Sequence, residues 1–248
     1  MNYDLIYLSP HLDDAILSCG GQIFEQVRKG VRVLLVTVAA GEPEATVHSP
    51  FAEFLHHNWQ LTAEEVVSRR RAEDGAAAKR LGAAHRHWSL PDAIYRVNPK
   101  SGEPLYTSDE DIFGELDESE QPLIGELAQK IAKLPQGRQL IAPLAVGNHV
   151  DHQLVRRAAE AAHGDGLLYY EDYPYVQRDR SALRALLQPR EQWRSTVVRL
   201  SQEALQAKIE AISCYRSQLG VLFGGEEEMA QQVREHGTER LWHRSTPA

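Results

Sequence analysis

One imidazole and two carboxylates fall within four residues at His11-Leu12-Asp13-Asp14. A single proton hardly relieves that density of negative charge at the end of a buried strand, whereas a divalent cation neutralises it directly. His11 and Asp14 therefore read as metal ligands. The competing reading is helix capping, because an Asp just ahead of an apolar periodic segment commonly accepts from the first helical N–H groups, and either Asp13 or Asp14 is placed to do so. A second cluster, His149-Val150-Asp151-His152, follows the apolar run Leu140-Ile141-Ala142 and weighs against capping as the whole account.

Both clusters need strands behind them. Asp4-Leu5-Ile6-Tyr7-Leu8 has the length and side chains of a buried parallel strand. Ile16 to Arg28 is predicted as a helix with Leu17, Ile23, Phe24 and Val27 on one face, and Val31 to Val38 is the nearly continuous apolar run of a strand covered on both sides. Strand, helix and strand form a βαβ unit, whose right-handed crossover makes the sheet parallel. Open α/β sheets bind ligands outside the carboxyl ends of their strands, so the two clusters can face one another across one sheet edge.

With these two motifs in this order, the chain resembles the PIG-L/LmbE-like N-deacetylases, which remove acetyl groups from N-acetylglucosamine-containing substrates. The resemblance extends over most of the chain. It implies an α/β fold, a three-layer α/β/α sandwich with a mostly parallel Rossmann-like sheet, and a single domain over residues 1–248. It implies zinc held by His11, Asp14 and His152, with Fe2+ as an acceptable replacement, Asp13 as general base, His149 stabilising the oxyanion if protonated, and Asp151 orienting or tuning a histidine. Three protein ligands leave a position open for water, whose pKa zinc lowers from about 15.7 to about 7. Two departures stand out: the family's usual Pro is Leu12 here, and its usual acid after the second Asp is Ala15.

Arg70 with Glu73, Ala76-Ala77 and Leu81-Gly82 resembles the family's Arg-containing helix, in which an Arg helps hold the substrate. Taken alone, the run Arg69 to Arg71 reads as a solvated face. Asp92 stands where the family carries a carboxylate that binds sugar hydroxyls, and where a turn cap is the local alternative. The implied partner is a small-molecule amino-sugar conjugate. Two rivals remain at this point. His11-Leu12-Asp13 with a distant histidine also suits a non-haem iron oxygenase, although those enzymes are typically all-β. A non-catalytic sugar- or nucleotide-binding module is the other, with Gly20-Gly21 too weak a signal for a dinucleotide site.

Gly41 to Gln60 shows no clear period and reads as a binding loop or lid, in which Phe51, Phe54 and Trp59 offer apolar area to a group beyond the sugar. Its three histidines read as surface residues. Thr62-Ala63-Glu64-Glu65 has capping-box spacing and opens a helix to Leu81. A strand is expected over 85–90, where His85 and His87 alternate without an accompanying carboxylate. Val97 to Ser119 reads as an excursion, and the acidic run from Asp109 to Glu120 as solvated. A helix over 123–134 ends at Pro135-Gln136-Gly137, and another spans Asp151 to His163. Leu167 to Tyr170 is a strand leading to rim candidates Glu171 to Tyr175. Further expectations are an edge strand over 194–200, one helix from Ser201 to Leu219, and a helix with a polar tail from Gly224 to Ala248.

The 248 residues, 42% of them hydrophobic, suffice for a sizeable core. A net charge of −8, from 27 basic and 35 acidic side chains, argues against nucleic acid as a partner. No apolar stretch approaches membrane-spanning length, and Met1 to Asp4 lacks the basic region of a signal peptide, so a cytoplasmic protein is expected, with homo-oligomerisation left open. Cys19 and Cys214 read as two separate thiols.

Overall fold

A computed structural model describes residues 2–43, 49–135, 139–164 and 166–245. Among them, seven strands form one sheet: β1 (Leu5–Ser9), β2 (Val33–Thr37), β3 (Ala84–His87), β4 (Gln139–Pro143), β5 (Leu168–Tyr170), β6 (Trp193–Arg199) and β7 (Thr238–Arg244). The order is β3-β2-β1-β4-β5-β7-β6; the first five are parallel, and β7 runs antiparallel between β5 and β6. The helices are α1 (Asp14–Arg28), α2 (Pro50–Trp59), α3 (Val66–Leu81), α4 (Asp109–Ile112), α5 (Gln121–Ala132), α6 (Val150–His163), α7 (Tyr175–Arg178), α8 (Arg180–Leu186), α9 (Gln202–Ile212), α10 (Arg216–Phe223) and α11 (Glu226–His236).

The pleat of β1 divides the core between two faces. Ile6 and Leu8 join Leu34 and Val36 in one cluster, roofed by α5 and α6, while Tyr7 joins Val33 and Leu35 in another, roofed by α1, α3 and α9. Every residue of β2 is buried, which is why that strand lacks a polar face. These layers are the α/β/α sandwich the sequence implied. After β1 the chain moves outward to β2 and β3, then returns to the opposite side of β1 as β4. The carboxyl ends of β1 and β4 therefore form the switch point of the sheet, and both clusters leave from it.

Several local expectations are corrected. Residues 50–59 are helical, not loop: Ser49 accepts from the Ala52 N–H (3.1 Å), Pro50 occupies the first turn, and Phe51, Leu55 and Trp59 repeat every four residues against the core. Residues 44–48, in the same segment, lie outside the described residues, as do Gln136 and Gly137. Glu120 is buried and not solvated. The expected helix over 201–219 is two helices broken at Ser213 to Tyr215; α11 is the helix expected after Gly224, but the tail expected to be polar forms the buried-faced strand β7. His87 does acquire a carboxylate, with Nε2 2.8 Å from Oδ2 of Asp74, which also accepts from Thr37 and, through Oδ1, from Tyr215.

β7 is tied to the sandwich by a buried charge. Glu239 accepts from the backbone N–H groups of Gly21 and Gln22 (2.9 and 2.8 Å) and from Lys208 Nζ (2.8 Å). A Cβ at Gly21 would stand 2.4 Å from Leu200 Cδ1, so any larger residue there requires that leucine side chain to move. Removing one member of such a pair leaves the other charge buried alone, so Glu239→Ala is expected to cost about 3 kcal/mol in urea unfolding. Glu239→Leu combined with Lys208→Met is expected to recover most of that; equal losses for single and double variants would show that charge pairing is not the cause.

Candidate active site

Asp13 occupies the N-cap position of α1, yet its side chain makes no capping hydrogen bond. Ser9 supplies one instead, its Oγ accepting from the Ala15 N–H at 3.0 Å. Asp14 folds back to accept from the His11 N–H at 2.8 Å. Capping thus does not explain the first motif, and both carboxylates line the cavity beside His11. Leu12 and Ala15, the two departures from the family pattern, are buried and take no part in the polar cluster.

Three nitrogens crowd one oxygen. Besides the His11 N–H, Oδ2 of Asp14 lies 3.1 Å from Nδ1 of His11 and 3.2 Å from Nε2 of His152. His152 is wholly buried, and its Nε2 has no aligned hydrogen-bond partner although Asp14 is adjacent. Its other nitrogen, Nδ1, lies 2.7 Å from Oδ1 of Asp172, whose Oδ2 accepts from the Val146 N–H at 2.8 Å. On the far side of the cluster, Nε2 of His11 lies 2.9 Å from Oδ2 of Asp151 and 3.7 Å from Oδ2 of Asp92. Each of these imidazoles is backed by an acidic partner and turns its second nitrogen toward Asp14, the arrangement found around protein-bound metals. Nitrogens of His11, His149 and His152 also fall within 4.8 Å of one another. Two imidazoles and a carboxylate suit zinc or iron(II).

Charge in the cluster is sharply divided. Burial raises the carboxyl of Asp14, but His152 and His11 hold it well below the usual range. Burial likewise opposes the cationic form of His11, yet Asp92, Asp14 and Asp151 hold its pKa well above normal; Asp14 and Asp172 push His152 up to about 9 against the same penalty. Asp13 differs. Burial, reinforced by the Asp14 charge, pushes it up to about 7, with Arg70 and His11 opposing.

His149 is the N-cap of α6, and its Nδ1 accepts from the Asp151 N–H at 3.1 Å. The proton of the neutral ring then belongs on Nε2. Burial, together with the positive charge of His11, holds His149 well below its ordinary pKa. A lowered pKa favours the neutral imidazole, which still carries one N–H donor for the oxyanion role expected of His149.

The arginine run splits by side. Arg69 is exposed, Arg71 donates to the Ala40 carbonyl, and Arg70 is buried in the cavity wall. Its guanidinium lies 4.9 Å from the Trp59 ring and 3.7 Å from Oδ2 of Asp13, with Nε unpartnered. Asp92 does cap its turn, accepting from the Ile94 N–H at 3.3 Å, and also lines the cavity. Of the three aromatic residues assigned to the lid, only Trp59 reaches the cavity: Phe51 packs on the core and Phe54 is 55% exposed. The apolar wall is completed by Leu17, Ile112, Phe113, Tyr175, Val221 and Leu222 around about 300 Å³ of space.

Residues 6–163 match the family model described as PIG-L, GlcNAc-PI de-N-acetylase. The chain belongs to the PIG-L family. A 2'-N-acetylparomamine deacetylase of Niallia circulans is 31% identical over 92% of this chain and 86% of its own length, and one of Streptomyces fradiae is 32% identical over 70% and 58%. Among solved structures, the zinc-inhibited form of teicoplanin deacetylase superposes with a TM-score of 0.82 at 32% identity, covering 99% of this chain and all of that one. Its complex with teicoplanin gives 0.79 at the same identity, over 98% of this chain and all of that one. With this fold and these relatives the PIG-L member is an amide-hydrolysing deacetylase, so the oxygenase and the non-catalytic module are set aside. Around the cluster, the sequence did not single out Arg96, read Glu120 only as part of a solvated run, and gave Asp172 only as a rim candidate and not as the partner of His152. A carboxylate directly after a neighbouring strand was the available signal for Asp172; Arg96 and Glu120 offered none.

Proposed function

We propose that this PIG-L protein hydrolyses the acetamide of an N-acetylated amino sugar within a larger, partly apolar conjugate, with a divalent metal held by His11, Asp14 and His152. The observation that carries this reading is the convergence of His11 Nδ1 and the unaligned, buried His152 Nε2 on one oxygen of Asp14. A divalent ion bound there supplies a Lewis acid for water and for the amide carbonyl. Asp13, beside these donors but with no contact to the histidine nitrogens, takes the proton of the attacking water and returns it to the departing amine. His149 donates its N–H to the oxygen that becomes negative in the tetrahedral intermediate. Asp151 and Asp172 fix the rings of His11 and His152.

Arg70 and Asp92 hold the sugar, one donating and the other accepting from hydroxyls. Each charge-assisted bond is worth about 1.5 to 3 kcal/mol, so Arg70→Ala and Asp92→Ala are each expected to lower kcat/KM by roughly tenfold to a hundredfold. Unchanged kcat/KM in both would remove them from the sugar site. The apolar wall of Leu17, Trp59, Phe113, Tyr175 and Val221 supports a hydrophobic group beside the sugar, closer in chemistry to a glycopeptide such as teicoplanin than to the polar paromamine core. Two free cysteines and the absence, among the described residues, of any helix able to cross a membrane fit a cytoplasmic site of action.

Zinc and iron(II) both suit the donors, and the solved relative's zinc form is an inhibited one, so the test loads each metal separately. Acetate and primary amine are measured after incubation with free N-acetylglucosamine, 2'-N-acetylparomamine and an N-acetylglucosaminyl glycopeptide. The expected order is glycopeptide first and free sugar last. No release from any substrate with either metal, or free sugar as the best substrate, overturns the reading.

A further inference from the structure

Outside the catalytic cavity, Arg96 is buried against Asp151. Its Nη1 donates to Oδ1 of Asp151 and to the Pro91 carbonyl (3.2 Å), while Nε and Nη2 fork onto Glu120, a buried carboxylate that also accepts from the Tyr106 hydroxyl. The other oxygen of Asp151 accepts from the Ala93 N–H at 2.9 Å and meets Nε2 of His11 at 2.9 Å. One buried line thus runs from Tyr106 through Glu120, Arg96 and Asp151 to His11.

We propose that Arg96 is a positioning residue for the metal site, locking the Asp151 carboxylate so that the His11 ring keeps Nδ1 toward Asp14. The inference rests on the assignment of His11 as a metal ligand. A carboxylate held at only one oxygen can turn about its Cβ–Cγ bond. Here Oδ1 is claimed by a guanidinium that is itself held by Glu120 through Nε and Nη2 and by the Pro91 carbonyl, so neither partner can follow such a turn. A lysine cannot replace this fork, because its ammonium is a compact point charge without the planar geometry that spans both carboxylates. A purely structural ion pair needs no connection to the histidine; this one ends on it.

A second cavity of about 260 Å³ is lined by Pro91, Tyr95, Arg96, Leu105 and Glu120. With Arg96 in its wall, truncation of that side chain adds its space to this cavity, which makes chemical rescue by a small ion the test. Zinc affinity of metal-depleted protein is measured by competition with a chelating indicator, without substrate. Loss of the direct partner of a ligating histidine typically costs about 10- to 100-fold in metal affinity; Arg96 stands one residue further out, so about tenfold is expected for Arg96→Ala, with kcat falling more than KM changes. Guanidinium ion, well below unfolding concentrations, is expected to restore zinc affinity, and methylammonium to restore less. Parent-like zinc affinity in folded Arg96→Ala overturns the proposal, as does guanidinium that raises Tm without recovering zinc affinity. Where Arg96→Ala does not fold, Arg96→Lys carries the test: zinc affinity at least about threefold weaker at an unchanged Tm supports the role, and no change overturns it. A parent chain that binds no zinc removes the metal assignment itself, and this inference with it.

Discussion

Asp13→Ala is expected to lower kcat by about 100-fold to 10,000-fold while metal content stays near that of the parent. Asp13 is buried, makes no capping bond, and sits 3.7 Å from the Arg70 guanidinium instead of against the histidine nitrogens. Its backbone carbonyl caps α1, but no hydrogen bond of that helix depends on its side chain, since Ser9 supplies the bond to the Ala15 N–H. The variant should therefore fold normally and bind substrate nearly as well, losing the proton acceptor and little else. Asp13→Asn is the sharper control, keeping the shape while removing the base. Metal analysis and steady-state kinetics on the two variants decide the matter: metal loss in parallel with activity would move Asp13 into the coordination set, and a kcat within a few fold of the parent would leave the general base elsewhere. His149→Ala should also reduce kcat more than it raises KM, because the charge its N–H meets exists only after attack.

The parts of this protein legible in the sequence were those governed by short-range rules. The continuous apolar run of β2 and the approach of β1 to His11 announced a parallel sheet covered on both faces, and two His/Asp motifs at strand ends announced a switch-point site. What stayed hidden depended on distant partners. Helix α2 was signalled by Ser49-Pro50 and by the four-residue spacing of Phe51, Leu55 and Trp59, but its polar exposed positions masked the period. β7 looked like a polar tail because Glu239, Arg240 and Arg244 dominate it; only the buried Lys208 and the backbone of Gly21 and Gln22 make a place for Glu239. Glu120 looked solvated for the same reason, since its partner Arg96 lies 24 residues away. At the site, pattern could pair His11 with Asp14, but which oxygen each ring faces, and that His149 turns Nδ1 to the Asp151 N–H, follows from tertiary geometry alone.

Removal of the metal is the other change with a large expected effect, and a graded series of carboxylates tests where it binds. Chelation should abolish acetate release, and readdition of zinc or iron(II) should distinguish the productive ion from an inhibitory one. Asp14→Asn removes the anionic oxygen on which His11 and His152 converge while keeping the side chain's size. Its metal affinity should fall by more than the roughly 100-fold that loss of an outer partner can cost. Asp172→Asn acts one step further out: His152 keeps its place but loses the carboxylate at Nδ1, and a drop of about 10- to 100-fold is expected. Asp13→Asn should leave affinity almost unchanged, because its proposed role is proton transfer. The order Asp14, Asp172, Asp13 in competition against a chelating indicator follows from the distances alone and needs no substrate. Equal losses at Asp13 and Asp14 would show that the adjacent carboxylates share the ion. A loss at Asp172 as large as that at Asp14 would mean that burial of an unpaired imidazole, and not coordination, controls the site.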